Sequence, residues 1–333
     1  MTGVDLPDVM SDLAGTPAST KTVALALGSG GARGYAHIGV LDALHERGYR
    51  VVAVSGASMG AIVGGFYCAG KLPEFRQWVC TLGYLDVLRL IDVTLLSSGV
   101  IRGDRIFALL SDFLGNLQIE DLPIPFTAVA TDLTARKEVW FQSGRLETAM
   151  RASAAIPSVL QPVHHNGHVL VDGGVLNPLP ISPCVSVHAD LIIAVDLNAD
   201  IPLPDDFQHA TPQKEQEVKQ AWLETIFAKA GSLFDKGDSR RLARQEDKGR
   251  QIDENIGKFE IMNNMLETMQ LALTRFKTAA YPPDLMINLP MTGCEMYEFY
   301  RAREMIDLGY LIANKALDAY ETGGASPYGL RMA

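Results

Sequence analysis

The fold is decided by one stretch, Val51-Val-Ala-Val-Ser-Gly-Ala-Ser-Met-Gly60. Its first residues are apolar or small and predict a buried strand, and the apolar run from Ala61 to Phe66 predicts a helix. Between them stands Gly-x-Ser-x-Gly, the pattern of a tight turn that presents a nucleophilic serine. A plain glycine-rich turn is the alternative. We expect Ser58 at the tip, its hydroxyl exposed and its N–H near the helix N-terminus, where an oxyanion is favoured. The predicted elbow comprises Gly56, Ala57, Ser58, Met59 and Gly60.

A second glycine-rich segment, Gly28-Ser-Gly-Gly-Ala-Arg-Gly34, follows an apolar run of strand length. It does not match a dinucleotide fingerprint, because Arg33 stands where the third glycine is needed. A phosphate loop would need Gly-Lys-Ser/Thr, which is missing. An oxyanion hole fits, since consecutive backbone N–H groups could face a tetrahedral oxyanion while Arg33 fixes the loop or adds positive charge. The predicted hole comprises Gly30, Gly31, Arg33 and Gly34.

The candidate base is Asp172, which ends the apolar run His168-Val-Leu-Val-Asp and begins a glycine turn. It therefore resembles Ser58 in its place at the carboxyl end of a strand, where functional groups of parallel sheets collect. A turn-forming aspartate before glycine is the alternative. A free carboxylate is a weak base, so we expect a water-poor site and a direct hydrogen bond to Ser58. The base motif is completed by Gly173 and Gly174.

A rival interpretation of the site includes a catalytic histidine. An α/β-hydrolase esterase with a Ser-Asp-His triad would need one of the five histidines after Ser58, none of which has a distinctive context. His37 falls in line with Leu41 on a predicted helix and is expected to be a core residue. A catalytically idle lipid-binding or regulatory module is a third interpretation. The five candidate histidines are His164, His165, His168, His188 and His209.

The order of elements predicts an α/β fold, because strand, glycine loop, helix, strand, turn and helix follow one another. This order gives a mostly parallel central sheet with helices on both faces. We predict further strands at 126–131, 138–142, 168–172, 191–196 and 285–289. Helices are predicted from about Tyr35 to Arg47, near 73–79, over 84–115, and at 146–155, 218–278 and 295–320.

We divide the chain into a flexible leader (1–21), a catalytic domain (22–200), a linker (201–250), C-terminal helices with a last strand packed on the core (251–322), and a tail (323–333). Residues 218–236 carry apolar side chains at helical spacing among lysines. A lid, a membrane-docking helix and a core helix all stay open for this segment. The helix 295–320 either covers the core or forms a homodimer surface.

Charge and cysteine usage narrow the class of partners. The net charge of −10 opposes non-specific binding to nucleic acid and simple docking on anionic lipid. The four cysteines are scattered without metal-binding spacing, so we expect reduced thiols, no metal, no cofactor and a cytoplasmic location. Neither a signal peptide nor a run long enough to span a bilayer is visible. We therefore expect any membrane contact to be peripheral, on the inner face.

In this order the three motifs resemble the patatin-like phospholipases, and in particular their bacterial, neuropathy-target-esterase-like branch. The segments 36–41 and Arg151-Ala-Ser-Ala-Ala-Ile-Pro157 add to the resemblance, which covers about residues 22–200, the last strand and the long C-terminal helix. Ser29 departs from a position that is often glycine. The resemblance implies a three-layer patatin-like sandwich with a helical C-terminal extension. It also implies calcium-independent hydrolysis of phospholipids or other acyl-ester lipids (phospholipase A, lysophospholipase or carboxylesterase type) by a Ser58–Asp172 dyad through an acyl-serine.

Overall fold

The computed structural model of the protein describes residues 21–90, 103–157, 159–205, 207 and 258–323. Residues 1–20 of the predicted leader, the segment 218–236, the middle of the predicted helical region 84–115 and nearly all of the tail lie outside these residues. No helix among the described residues is long and apolar enough to cross a bilayer.

The centre of the molecule is a mixed sheet in which five of the described strands pair with one another in parallel. By hydrogen-bonded pairing the strands are linked in the order β5-β6-β3-β2-β1-β7-β8, and β4 also pairs with β3. β4 and β6 run antiparallel to β3, and β5 runs antiparallel to β6. Within the described residues the strands are β1 Thr22–Leu27, β2 Arg50–Ala57, β3 Phe126–Asp132, β4 Lys137–Phe141, β5 Val163–His165, β6 His168–Asp172, β7 Leu191–Ala199 and β8 Leu285–Pro290.

One edge of β3 is shared by two strands that run towards each other. β4 pairs with residues 128–132 and occupies the opposite edge. The remaining edge pairs with β2 up to Ala57↔Val129 and with β6 from Asp172↔Ala130. The carboxyl ends of β2 and β6 therefore meet head-on beside β3. This corrects our expectation of two neighbouring parallel strand ends, because β6 arrives from the opposite direction after the hairpin at Asn166–Gly167.

Helices cover the sheet and mostly begin where the sequence predicts them. They are α1 Ala36–Glu46, α2 Met59–Cys68, α3 Leu72–Val79, α4 Tyr84–Leu90, α5 Asp104–Leu114, α6 Leu146–Ser153, α7 Lys258–Ala280 and α8 Ala302–Glu321. The predicted α/β class with a mostly parallel sheet is confirmed.

The last two elements lie against the first ones. β8 pairs with β7, and α8 packs along α1. The two helices approach so closely that a Cβ atom at Gly39 would lie 1.9 Å from the Ile306 carbonyl oxygen, and one at Gly309 would lie 2.1 Å from the Ala36 carbonyl oxygen. One face of α8 is thus buried in the core.

The predicted start of α1 is confirmed to within one residue, whereas that of α8 is wrong. α1 is preceded by a 3-10 turn, Gly31–Tyr35, that belongs to the glycine loop. α8 begins at Ala302 rather than at 295, after a 3-10 turn at Phe299–Arg301. The segment before α8 binds the glycine loop through its carbonyl groups: Met296 O accepts from Ala32 N (2.8 Å), and Met291 O accepts from Arg33 Nη1 (3.0 Å).

Candidate active site

The turn after β2 places Ser58 in a conformation that few non-glycine residues adopt. Its φ is 55° and its ψ is −123°, between the last residue of β2 and the first residue of α2. The flanking glycines allow the close approach, since a Cβ at Gly56 would lie 2.4 Å from the Gly60 carbonyl oxygen, and one at Gly60 would lie 2.2 Å from the Leu27 carbonyl oxygen. Such strained residues persist only where the surrounding contacts hold them, and they cluster at functional sites.

The expectation of an exposed Ser58 hydroxyl is wrong, and the N–H of Ser58, although it lies at the N-cap of α2 as predicted, already has an acceptor. The residue is 4% exposed, so its hydroxyl does not stand out into solvent. Its backbone N–H is not available to an oxyanion, because it donates to Ser153 Oγ at 3.0 Å. Ser153 Oγ in turn donates to Val129 O at 2.6 Å. Sequence reasoning missed Ser153, because a serine at the end of a predicted helix carries no pattern that indicates this partner.

Asp172 lies directly beside the serine. Ser58 Oγ donates to Asp172 Oδ2 at 2.5 Å, and the N–H of Gly174 donates to Oδ1 at 2.7 Å. Asp172 is 4% exposed, and its burial raises the pKa from 3.8 to about 6, although both hydrogen bonds oppose the rise. The carboxyl group is therefore ionised at neutral pH, yet it is a better proton acceptor than a solvated aspartate.

The glycine loop leaves two donors without a partner. The N–H of Ser29 is taken by Pro178 O and that of Ala32 by Met296 O, both at 2.8 Å. Those of Gly30 and Gly31 bond to no acceptor in the described part of the chain. Gly31 has a φ of 57°, which favours glycine. The loop reaches the elbow, since a Cβ at Gly34 would lie 2.2 Å from Met59 Cγ.

The buried side chain of Arg33 fixes the conformation of the same loop. Its Nε donates to Gly30 O at 3.2 Å, and its guanidinium pairs with Glu267 of α7 at 3.2 Å. The side chain is 5% exposed. Of the two roles that the sequence leaves open, the geometry supports fixing the loop, because the charge is already paired. Glu267 is a partner that sequence reasoning missed, since it lies 234 positions further along the chain.

The glycines after Asp172 let its turn press against three other elements. A Cβ at Gly173 would lie 2.0 Å from Val129 O of β3. One at Gly174 would lie 2.8 Å from Ser29 Oγ of the loop and 2.7 Å from Gln270 Nε2 of α7. The base motif is therefore in contact with β3, with the glycine loop and with α7, and Gln270 is a further residue that the sequence did not indicate.

No described histidine bonds to Ser58 or Asp172. His37 is fully buried with Nε2 2.9 Å from Gly28 O, and burial lowers its pKa to about 4, so it is a neutral core residue beneath the loop, as predicted. His168 is exposed and pairs with Asp132 at 2.7 Å. His164, His165 and His188 are also exposed, and His209 lies outside the described residues.

The four cysteines are free thiols, of which Cys68, Cys184 and Cys294 are buried. Burial raises the pKa of these three thiols, so they are protonated and unreactive at neutral pH. Within the described ranges, no group of three or more His, Cys, Asp or Glu side chains could hold a metal ion.

Comparison with known proteins assigns the chain to a family. The family model for patatin-like phospholipases matches residues 25–185, which include the loop, the elbow and the base motif. NTE family proteins of Mycobacterium bovis and Mycobacterium tuberculosis are 42% identical over 343 residues, covering 91% of this chain and 93% of theirs. The chain belongs to the NTE family of patatin-like phospholipases. The predicted resemblance is thereby confirmed, and membership makes the chain a relative of lipid acyl hydrolases of the serine esterase type.

Other relatives match about half of this chain and a small part of their own length. Neuropathy target esterase sws of Drosophila melanogaster is 34% identical over 186 residues, which are 54% of this chain and 13% of that protein. Patatin-like phospholipase domain-containing protein 6 of Mus musculus is 35% identical over 187 residues, 54% of this chain and 14% of that protein. The crystal structure of VipD from Legionella pneumophila shares the fold, with a TM-score of 0.50, 17% identity, and coverage of 90% of this chain and 67% of that one.

Proposed function

We propose that this NTE family protein hydrolyses acyl esters of lipids with Ser58 as nucleophile and Asp172 as general base. The observation that carries the proposal is the 2.5 Å hydrogen bond between the two side chains in a buried site. A serine hydroxyl is a weak nucleophile until a base accepts its proton. The raised pKa of Asp172 suits this task without a histidine.

The reaction proceeds in two halves. Asp172 Oδ2 takes the proton as Ser58 Oγ attacks the ester carbonyl, and the negative charge moves to the carbonyl oxygen. The C–O bond to the alcohol then breaks, and the alcohol leaves with the proton from Asp172. Water repeats the sequence on the acyl-serine: Asp172 accepts its proton, the carbonyl carbon is attacked, and Ser58 regains the proton as the fatty acid leaves.

The unpartnered N–H groups of Gly30 and Gly31 supply the oxyanion hole in this mechanism. Arg33 positions these N–H groups, because its Nε donates a hydrogen bond to the carbonyl oxygen of Gly30. A single donor of this kind typically contributes about 3–4 kcal/mol of transition-state stabilisation.

The substrate in this proposal is a phospholipid, a lysophospholipid or another acyl-ester lipid, cleaved without calcium. We place the reaction in the cytoplasm with peripheral access to the inner membrane face. Four free thiols favour a reducing compartment.

The test is a pair of variants, Ser58→Ala and Asp172→Asn, assayed on p-nitrophenyl esters and on phospholipid. We expect each to lose about three orders of magnitude or more in kcat, as when members of other serine hydrolase sites are removed. A folded variant that keeps turnover near wild type contradicts the dyad. Reaction of Ser58 with a fluorophosphonate probe separates an enzyme from an idle module. His→Ala variants at the five candidate positions, His209 included, separate the dyad from a triad.

A further inference from the structure

Helix α7 turns a polar stripe towards the interior of the protein. Gln270, Thr274 and Thr278 follow one another at a spacing of four residues, so they lie on one face of the helix. Gln270 is 8% exposed, Thr274 is 4% exposed, and the hydroxyl oxygen of Thr278 is buried as well. A surface helix normally turns an apolar stripe towards the protein. Hydrophobic packing alone therefore does not account for this face of α7.

Several oxygens along this face have no hydrogen-bond partner among the described residues. They are Oγ1 of Thr274, Oγ1 of Thr278, and Oδ1 of Asn177, a residue that is fully buried. Asn177 lies in the same region, because its Nδ2 donates to Glu138, which pairs with Lys277 of α7. A buried polar atom without a partner is unfavourable, and such atoms normally bind ordered water.

The inner end of the stripe lies at the proposed base. A Cβ atom at Gly174 would be 2.7 Å from Gln270 Nε2, 2.8 Å from Ser29 Oγ and 3.0 Å from Asp172 Oδ1. These three polar atoms, which come from α7, the glycine loop and the base turn, therefore surround one point beside Gly174. Ser29 is 2% exposed, and its Oγ also has no partner among the described residues.

The spacing of the stripe suits water molecules. Four residues of an α-helix rise about 6 Å, and one water spans about 5.6 Å through two hydrogen bonds of about 2.8 Å each. Single waters can therefore bridge successive side chains of the stripe. The outer end of the stripe lies at the Lys277–Glu138 pair, whose side chains are each 23% exposed, so this end is in contact with solvent.

We propose that the inward face of α7 binds a row of waters that supplies the water for hydrolysis of the acyl-serine, with Ser29 and Gln270 holding its last member at Asp172 Oδ1. This deepens the proposed function, on which it rests, because it concerns the second half of that reaction. Once Ser58 is acylated, its Oγ carries no proton and Asp172 Oδ2 has lost its donor. The water passes a proton to Oδ2 as its oxygen bonds to the acyl carbon, and Ser58 Oγ takes that proton as its bond to carbon breaks.

Ser29 and Gln270 are positioning residues in this scheme, because they act through the water. Single turnovers with enzyme in excess over a p-nitrophenyl ester separate the two halves, since p-nitrophenolate is released on acylation and the free acid on deacylation. Ser29→Ala keeps the backbone hydrogen bonds of residue 29 to Pro178 and Asn198, and Gln270→Met replaces the amide by an apolar group of similar length. For each variant we expect p-nitrophenolate release within about twofold of the wild type, acid release slowed about fivefold or more, and accumulation of acyl-Ser58 in the mass spectrum.

Thr268→Val is the matched control. It removes a hydroxyl from the exposed side of the same helix, where Thr268 Oγ1 donates to Asn264 O at 2.7 Å, and it should leave both rates unchanged. Thr274→Val, further along the row, serves if Ser29→Ala or Gln270→Met melts early. The proposal is overturned if the variants release acid as fast as the control. It is also overturned if they slow both halves equally, as a general loosening of the site would.

A crystal structure of the wild type tests the waters without turnover. We expect ordered waters within about 3.2 Å of Ser29 Oγ, Asp172 Oδ1 and Thr274 Oγ1, and loss of the first of them in Ser29→Ala. Electron density that shows no water at these atoms overturns the proposal. If Ser58→Ala keeps its turnover, the dyad is wrong whatever the crystal shows, so the two failures are distinguishable.

Discussion

The burial of Asp172 has two opposite effects on the protein. It strengthens the carboxylate as a proton acceptor, because the charged form is disfavoured away from water. For the same reason it lowers the stability of the folded chain whenever Asp172 is ionised. In the proposed mechanism, activity and stability therefore depend on the same group, and they respond to pH in opposite directions.

The first prediction concerns activity. With the pKa of Asp172 raised to about 6, kcat/KM on a soluble ester should rise with pH, reach half of its plateau near pH 6 and level off above it. Protonated Asp172 cannot accept the serine proton, which is why activity falls on the acid side. The measurement is a pH–rate profile of the wild type, and a midpoint near pH 4 would contradict a desolvated base.

The second prediction concerns stability. The folded-state pKa of Asp172 lies above the unfolded one, so the folded chain binds more protons between about pH 4 and pH 6, and the free energy of unfolding falls as pH rises through this window. The full cost, about 3 kcal/mol, is present at about pH 8. Asp172→Asn should remove most of it there and little at about pH 4.

Urea unfolding at the two pH values measures this difference. Ser58→Ala is the matched control, because it keeps the buried carboxyl group and should retain the pH dependence. The prediction fails if Asp172→Asn and the wild type lose stability in parallel across the window.

The third prediction concerns Ser153. Ser153→Ala leaves the N–H of Ser58 without an acceptor and releases a strained turn, so kcat should fall about tenfold or more while KM changes little. Ser186→Ala removes only a 3.5 Å contact to Pro183 and is the control. Equal kcat in the two variants would mean that Ser153 does not position the nucleophile.

Among single residues, the sequence predicts the groups that carry a pattern and misses those that act by position alone. Ser58, Asp172 and the glycines are found because tight turns restrict which residues fit. Ser153, Glu267 and Gln270 are not found in this way. Their hydroxyl, carboxylate and amide groups lie in helical segments, where no fixed sequence spacing relates such a group to the site. Burial of Ser58 is missed too, since the turn motif says nothing about what packs over it.

At the scale of elements, strands are predicted well and their directions poorly. The apolar runs identify β1, β2, β3, β6 and β7, because each is long enough to be buried. An apolar run of five residues has no direction, however, so the antiparallel course of β6 is not visible in it. The head-on meeting of β2 and β6 depends on pairing register along β3, which only the assembled sheet defines.

The fourth prediction belongs to the contact between α7 and the glycine loop. Glu267→Gln keeps the side-chain shape but removes the charge opposite the buried Arg33, so the loop should be held less firmly and kcat should fall by about threefold to tenfold. Glu74→Gln breaks an exposed pair with Lys71 and should leave kcat unchanged.

A double-mutant cycle of Glu267→Gln with Arg33→Lys decides whether the two side chains act together. Coupled effects on kcat are expected because the residues are in direct contact. Additive effects on kcat would mean that the contact between α7 and the loop does not influence turnover.

At the scale of the whole molecule, the C-terminal elements complete the patatin-like fold. β8 extends the sheet, α8 packs along α1, and the segment before α8 binds the glycine loop. The class of fold follows from the first half of the sequence, because alternating strands and helices permit few arrangements. The way in which the second half packs on the first cannot be predicted in this manner. Helical periodicity identifies the face of a helix that is buried, but not the element against which that face packs.

The fifth prediction tests this attachment. Gly39→Ala would place a methyl group 1.9 Å from the Ile306 carbonyl oxygen, so α1 and α8 must separate. We expect a loss of about 3 kcal/mol or more in the free energy of unfolding. Gly83→Ala meets only a side-chain oxygen at 3.4 Å and should change stability by less than about 1 kcal/mol. Similar denaturation midpoints for the two variants would contradict the close helix contact.

The shared edge of β3 also has a consequence for the order in which the site matures. Ser58 leaves the ribosome 114 residues before Asp172, and the strand that joins them, β3, emerges in between. Contacts between residues so far apart form late in folding, after local structure is in place. Glu267, which clamps the glycine loop, arrives later still. In the proposed mechanism, a growing chain therefore carries its nucleophile without its base until 114 further residues have been added.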